Sequence, residues 1–395
     1  MQPLEESLVT QYVLHKHHLL EGSQAESIRQ VVNDIIALHA TSAGTPYISL
    51  FVRMKNFQRK HLDEEFYVKR NLVRLQAMRD TLFITSTQSA SLLYQATKLP
   101  EAHLLKWLHK WGISLSEYHE LAEKLYGILK GGEKTLLELK KALPKEMVRS
   151  VELKAGKERY KGTNVNIVLS AMMHKGMVIS EKGPETLRIT KANRFALIKE
   201  KYPNLNLESV ECEEAKAMLV KRYVEAFGPV TEGDIAWWTG FSKTEVKNAL
   251  ATIEKGLRSL KIGGFEKDYL MLKTDYEQFV RFKPLSAHSV LLLPFEDPYT
   301  KGYKVRDRLV DSGLEKKTYV GGGVLPTILL NGKIIGTWNR NIEEGKEPIK
   351  LSFFSHPKKH IEKEIIEKAK AIGRLMSDHE VDVEIEKTKS LGKAS

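Results

Sequence analysis

The sequence predicts an α+β protein in which three helical segments, each closed by a β-hairpin, precede a strand-rich C-terminal part. Three observations carry that expectation. Helical apolar spacing recurs in three runs that share an order of elements and not a sequence. Alternating stretches that turn at glycine follow the second and third runs. Beyond residues 277–290 short β runs dominate, and 395 residues exceed one ordinary core.

In the first segment helices are expected over about 5–18 and 24–40. Ser23 and Glu26 have capping-box spacing at the start of the second, and Ile28, Val31, Val32, Ile35 and Ile36 recur at core-facing positions. Residues 48–52 (ISLFV) read as a strand, 63–77 as a helix and 79–84 as a short strand. The second segment predicts helices over 115–129, 135–143 and 163–175, the last closed by Gly176. A hairpin turning at Lys182-Gly183-Pro184 follows. The third predicts helices over 212–227, 231–238 and 242–255, then a hairpin turning at Gly263-Gly264. Helix, helix, helix, hairpin is the winged helix-turn-helix plan, whose third helix commonly enters a DNA groove. The runs SVLLLPF, KTYVGGG, TILLNGKIIGTW and IKLSFF predict a small barrel or sheet. The fold class is therefore α+β, with three tandem winged helix-turn-helix modules and a small barrel-like C-terminal domain. The expected boundaries are 1–114, 115–205, 206–280 and 281–376, with a partly disordered tail over 377–395.

Apolar content of 42% and charged content of 28% describe a globular chain, with no window near the roughly 18 apolar residues of a membrane helix. The N-terminus has no signal-peptide pattern, so a cytoplasmic protein is expected. A single cysteine, Cys212, excludes an internal disulfide and a multi-cysteine zinc site. Net charge is +12, and residues 130–175 hold 11 Lys/Arg against 5 Asp/Glu, a concentration that favours a nucleic-acid backbone as partner. No P-loop, dinucleotide fingerprint or zincin helix occurs, and no metal or organic cofactor is expected. His356 and His360 read as surface histidines, and Gly321-Gly322-Gly323 as a turn.

The polar pair His39 and Thr41 closes the second helix. If the backbone becomes extended after Leu38, the two side chains project together. A site reading competes with a satisfied core histidine and a helix-ending threonine.

Several phrases, in order, resemble the winged-helix DNA glycosylases of the crosslink-repair type, over the chain to about residue 376. They are ALHATSAGTPYISLFVR with Arg53, Arg79-Asp80-Thr81-Leu82, Asp234 through Gly240 with Trp237 and Trp238, LLLPFEDPY followed by Arg306, and NGKIIGTW. The resemblance implies a monofunctional glycosylase that hydrolyses the N-glycosidic bond of N7-alkylated purines in double-stranded DNA, some members unhooking interstrand crosslinks. It implies a catalytic Gln-x-Gln or Gln-x-Asp, at which this chain has His39 and Thr41. Three winged helices in one chain make a monomer sufficient, so no obligate protein partner and no membrane are expected.

An N7-alkylated purine is already cationic, so the base leaves without a general acid. What remains is to stabilise an oxocarbenium-like sugar and position water. His39 is expected to orient or deprotonate that water and Thr41 to fix its second hydrogen bond. Arg53, Lys55 and Arg79 are candidate phosphate contacts, with surface charge as the bland reading. Lys154, Lys157, Arg159 and Lys161 are phosphate candidates on what reads as a solvated loop. Of the adjacent Trp237 and Trp238, one is expected in the core and the other over DNA. Asp234 is expected in a capping box with Thr231, and Asp297 with Arg306 in a structural salt bridge. The competing function is a non-catalytic winged-helix DNA-binding protein or transcription regulator, with His39 and Thr41 structural.

Overall fold

The computed structural model describes residues 2–156, 158–181, 193–284, 288–340, 348–377 and 379–386. Its first third departs most from expectation. The helix after Glu6–Lys16 begins late, at Ile28–Asp34, because Ser27 caps it by accepting from Gln30 N at 3.1 Å. The Ser23 hydroxyl instead turns back to Leu20 O at 2.7 Å. The helix also ends early, since Ile36 takes a left-handed φ of 73°. The chain then runs extended over Leu38–His39, pairing with Leu82–Ser86, whose other neighbour is Leu72–Gln76. Val31, Val32 and Ile35 are buried in the core, as their spacing requires.

The expected strand at 48–52 lies in a helix, Thr45–Phe51, with Pro46 in its first turn, where proline costs no hydrogen bond. The expected helix over 63–77 breaks up. A short helix Arg59–Asp63 continues as a π-turn Glu64–Val68, and Arg70 at φ 55° redirects the chain into the strand Leu72–Gln76. Arg79 and Asp80 both have positive φ (53° and 60°), so the next strand starts at Leu82 and not at Arg79.

The second segment has the helices Leu115–Leu129, Leu136–Ala142 and Asn164–His174, with Gly176 left-handed at φ 63°. Lys134–Thr135, Arg194–Leu197 and Val178–Glu181 form a small sheet beside them. Leu121, Leu125, Leu139, Val165, Val168 and Leu197 share one core. The hairpin turn at Lys182-Gly183-Pro184 lies outside the described residues. The expected loop before the third helix is a second hairpin, Ser150–Ala155 with Glu158–Thr163.

The third segment has Cys212–Phe227, Glu232–Thr239 and Lys243–Ile253, then the pair Leu257–Leu260 and Tyr269–Leu272. Its core is shared. Tyr223, Phe227 and Trp238 pack in the same cluster as Val13, Phe83, Tyr303 and Leu309. The aromatic faces of this segment therefore tie the N-terminal segment to the C-terminal one.

Five of the C-terminal strands form one sheet, and Tyr319–Val320 pairs separately with Gly323–Val324. Val290–Leu293, Thr327–Leu330, Lys333–Arg340 and Ile349–Phe353 pair antiparallel in that order, and Val383–Ile385 joins the last in parallel. Its two edge strands do not pair with each other among the described residues, so this is an open sheet and not the barrel-like closure expected. The helix Lys359–Met376 buries Ile361, Ile365, Ala369 and Ile372 against it. Within the tail expected to be partly disordered, residues 383–385 are a strand; its last residues, 387–395, lie outside the described residues.

Candidate active site

His39 sits in a two-residue strand, and the backbone just beyond it is pinned. Ala40 N donates to Leu82 O at 2.7 Å. The buried Arg74 guanidinium donates to Ala40 O at 2.9 and 3.2 Å and to Ser180 O at 2.7 Å. That cation therefore fixes the backbone beside His39 to the second segment. The imidazole is 3% exposed and packs edge-on against Phe83, with ring centroids 5.3 Å apart, and against Phe295 at 6.2 Å. His39 and Thr41 line one cavity of about 300 Å³. His39 Nε2 lies 3.5 Å from Thr41 Oγ1, at the limit of a hydrogen bond, while Nδ1 is buried with no hydrogen-bond partner among the described residues.

Across the cavity stands a carboxylate that sequence reasoning missed. Glu296 Oε2 is 3.6 Å from His39 Nε2, too far for a direct hydrogen bond. Lys301 Nζ holds this carboxylate at 2.8 Å from Oε2 and 3.0 Å from Oε1, and also donates to Gly322 O at 2.6 Å. Val324 N donates to Oε1 as well. Glu296 is 4% exposed with a φ of 58°, a costly backbone for a residue with a Cβ. Burial lowers the His39 pKa to about 4, and the nearby positive charges of Lys301 and Arg74 add to it. The ring is therefore neutral at pH 7, so it and Glu296 do not form an ion pair; the carboxylate's charge is met by Lys301.

The loop carrying Glu296 is locked by its neighbour. Asp297 accepts from the two terminal Arg53 guanidinium nitrogens, at 2.7 and 2.8 Å, with both side chains at 0% exposure. Arg53 Nη1 also reaches Ser49 O and Oγ, and Asp297 Oδ1 caps the next turn through Tyr299 N at 3.0 Å. This corrects two expectations. Arg53 is no phosphate contact, because it is sealed in the core as Asp297's partner. Asp297 does not pair with Arg306. The pair joins the helix Thr45–Phe51 to the site loop, and Thr45 Oγ1 adds a bond to Phe295 O at 3.0 Å.

The rim of the cavity is basic and aromatic. Arg79 lines it, with its guanidinium carbon 3.6 Å from the Trp237 ring centroid. Arg306 lies 3.6 Å from the Tyr319 ring centroid and 5.4 Å from that of Trp237. Trp237 is half-buried beneath Arg79, and Trp238 is 6% exposed in the core while touching the cavity. Gly240, left-handed at φ 81°, ends this helix, and its Cα is close enough to the Arg79 backbone that a Cβ would meet Arg79 N at 3.4 Å. Asp234 makes the expected capping box with Thr231 and also accepts from Lys304 N and Val305 N at 2.8 and 2.9 Å.

A sequence profile described as DNA glycosylase AlkZ-like matches residues 32–375. The chain belongs to the AlkZ-like DNA glycosylase family. A relative of this AlkZ-like glycosylase from Streptomyces sahachiroi, described as an interstrand DNA cross-link repair glycosylase, is 22% identical over 332 residues, or 82% of this chain and 85% of that protein. The solved structure of Streptomyces sahachiroi DNA glycosylase AlkZ superposes with a TM-score of 0.74 at 18% identity, covering 98% of this chain and 100% of that one. That likeness is one of fold.

Within this AlkZ-like glycosylase the remaining expected contacts lie elsewhere. Lys55 is exposed and paired with Glu26 at 3.0 Å. Lys154, Arg159 and Lys161 are exposed on the hairpin 150–163, where Lys154 opposes Arg159 and Lys161 opposes Glu152. Lys157 lies outside the described residues. The helix after that hairpin returns to the rim, since His174 Nε2 is 3.3 Å from Asp80 Oδ1. Among the described residues no group of three or more His, Cys, Asp or Glu is arranged to hold a metal, and no helix is long and apolar enough to cross a membrane. Glu296 and Lys301 left one trace in the sequence: two adjacent carboxylates after an apolar strand, of which only one is needed to pair a buried arginine.

Proposed function

We propose that this chain hydrolyses the N-glycosidic bond of N7-alkylated purines in duplex DNA and unhooks interstrand crosslinks built on such bases. The carrying observation is the facing of an imidazole nitrogen and a carboxylate oxygen, His39 Nε2 and Glu296 Oε2, 3.6 Å apart inside a basic-rimmed cavity. In the Nδ1–H tautomer a neutral imidazole accepts through Nε2. A water about 2.8 Å from each acceptor would see them at an angle of about 80°, near enough to the angle between its own hydrogens to donate to both. Its oxygen lone pair is then free to attack the anomeric carbon as the cationic base departs. The proton lost in attack passes to the carboxylate, whose negative charge also faces the developing oxocarbenium ion.

Thr41, exposed at the mouth 3.5 Å from Nε2, trims the water's position. In this reading the helical segments act as winged-helix modules, and the basic hairpin 150–163 follows the DNA backbone. The reaction is monofunctional, because Lys301 is spent on Glu296 and Gly322 O and is not an amine free to attack the sugar.

The test is release of N7-methylguanine from a defined duplex, and unhooking of a duplex crosslinked through N7, by purified protein with His39→Ala and Glu296→Gln alongside. Loss of release in both variants with DNA binding intact supports the reading. Tight binding with no release from either substrate by the natural protein refutes it.

A further inference from the structure

We propose that Arg79, Arg306 and the Trp237 indole form a seat for a single DNA phosphodiester beside the cavity mouth, held ready by the aromatic rings beneath it. The proposal deepens the reading of this site as one that takes duplex DNA. Three observations lead to it.

The first is an inventory of hydrogen-bonding atoms. Arg79 Nη1, Arg306 Nε and Trp237 Nε1 are buried without a hydrogen-bond partner among the described residues. All three are donors, and their side chains lie against one another. Buried donors without acceptors are costly unless a ligand supplies the acceptors. A phosphodiester carries only acceptors and a negative charge, which is the chemistry these donors lack.

The second is the balance of charge. Arg79, Arg306 and Lys301 lie close enough for each to oppose the charge on its neighbours, and Glu296 is the carboxylate that Arg79 feels. That carboxylate is already held by Lys301 at 2.8 Å. Among the described residues neither arginine makes an ion pair to offset the repulsion; each rests on a ring instead, Arg79 on Trp237 and Arg306 on Tyr319, both at 3.6 Å. Stacking fixes the plane of a guanidinium without using its N–H groups, which leaves them free to meet phosphate oxygens.

The third is the rigidity of the platform. Arg79 occupies a left-handed position with φ 53°, in a turn whose backbone abuts Gly240 at the end of the tryptophan-bearing helix. The turn is thereby fixed between two elements, which limits how far the Arg79 side chain can move. The indole face that sequence reading reserved for DNA is thereby assigned to a guanidinium.

The experiment measures binding and needs no catalysis. A duplex with a tetrahydrofuran abasic analogue is bound to the natural protein, to Arg79→Gln and to Arg306→Gln. Single phosphates around the analogue are replaced in turn by neutral methylphosphonate. The expected result is one phosphate position at which replacement weakens binding by roughly tenfold in the natural protein and has little effect in either variant. The variants also lower the salt slope of binding by about one each. Arg306→Lys, which keeps the charge and loses the planar stack, is expected to recover only part of the loss. Thermal melting checks that each variant is folded. Methylphosphonate profiles that are the same in natural and variant proteins overturn the proposal. So does competition by inorganic phosphate that depends on Arg79 without any coupled DNA position, since the seat would then serve a free anion. Failure of the glycosylase reading shows separately, as absence of base release, and leaves this binding comparison readable.

Discussion

Glu296→Gln removes a charge while leaving most of the cavity's shape. The amide oxygen still accepts from Val324 N, and Lys301 keeps Gly322 O at 2.6 Å. In the proposed reaction two things are lost: an acceptor basic enough to take the water's proton, and the negative charge facing the sugar. A positioned acid–base group contributes about 10²- to 10⁴-fold. With His39 still in place 3.6 Å away, the lower half of that range applies. The expected fall in single-turnover release of N7-methylguanine at pH 7 is therefore about 10²- to 10³-fold, or about 3–4 kcal/mol in the barrier. The stability cost is smaller. Lys301 is 16% exposed and retains one bond, so the loss is about 1–2 kcal/mol and not the 3–5 of a fully buried broken pair. A rate that falls far more than the melting midpoint suggests, with DNA affinity within a few-fold of the natural protein, is the expected pattern. If Glu296→Gln releases base within threefold of the natural rate, the carboxylate does no chemistry and its pairing with Lys301 is structural. His39→Ala in the same assay then decides whether the imidazole alone holds the water.

The same geometry sets three further outcomes. His39 has a folded pKa of about 4 against 6.5 unfolded, so both states are neutral above pH 7. As pH falls below 6.5 the unfolded chain takes up the proton first, and this group withdraws about 3 kcal/mol of stability by pH 4; urea unfolding of His39→Gln should lack that part of the slope. Arg53→Met leaves Asp297 charged, buried and unpaired, and is expected to cost about 3–5 kcal/mol by denaturant unfolding while leaving the salt slope of DNA binding unchanged. Changing Lys154, Arg159 and Lys161 together to Gln is expected to lower that salt slope by about 2–3 without altering the melting midpoint, as measured by fluorescence anisotropy across a salt series.

Local signals marked the helix ends of the second and third segments closely. Thr135 and Glu138, Thr231 and Asp234, and Ser242 and Glu245 each form the reciprocal cap their spacing announces, and Gly176 and Gly240 end helices left-handed. The first segment misled for a physical reason. Its apolar periodicity continues through Ile35 and Ile36, yet the helix stops because tertiary pairing with Leu82–Ser86 outweighs one more helical turn. Nothing local reports a strand whose partner lies more than 40 residues away.

The same principle divides the candidate site. His39 and Thr41 were legible because two polar residues interrupt an apolar run. Glu296 was not, because its meaning depends on what Asp297 does. In the sequence the two carboxylates are equivalent, and only the buried Arg53 separates them, drawing Asp297 wholly into the core. With one carboxylate committed to the fold, its neighbour is turned through a left-handed backbone into the cavity, where Lys301 holds it at 2.8 Å opposite a neutral histidine. The arginine that looked like a DNA contact thus anchors the loop that carries Glu296. Arg53→Lys, which keeps the charge but cannot bind Asp297 through two parallel bonds, should therefore let the loop drift and slow base release more than it weakens DNA binding. A rate and an affinity that fall together would instead mean that Arg53 supports only the fold.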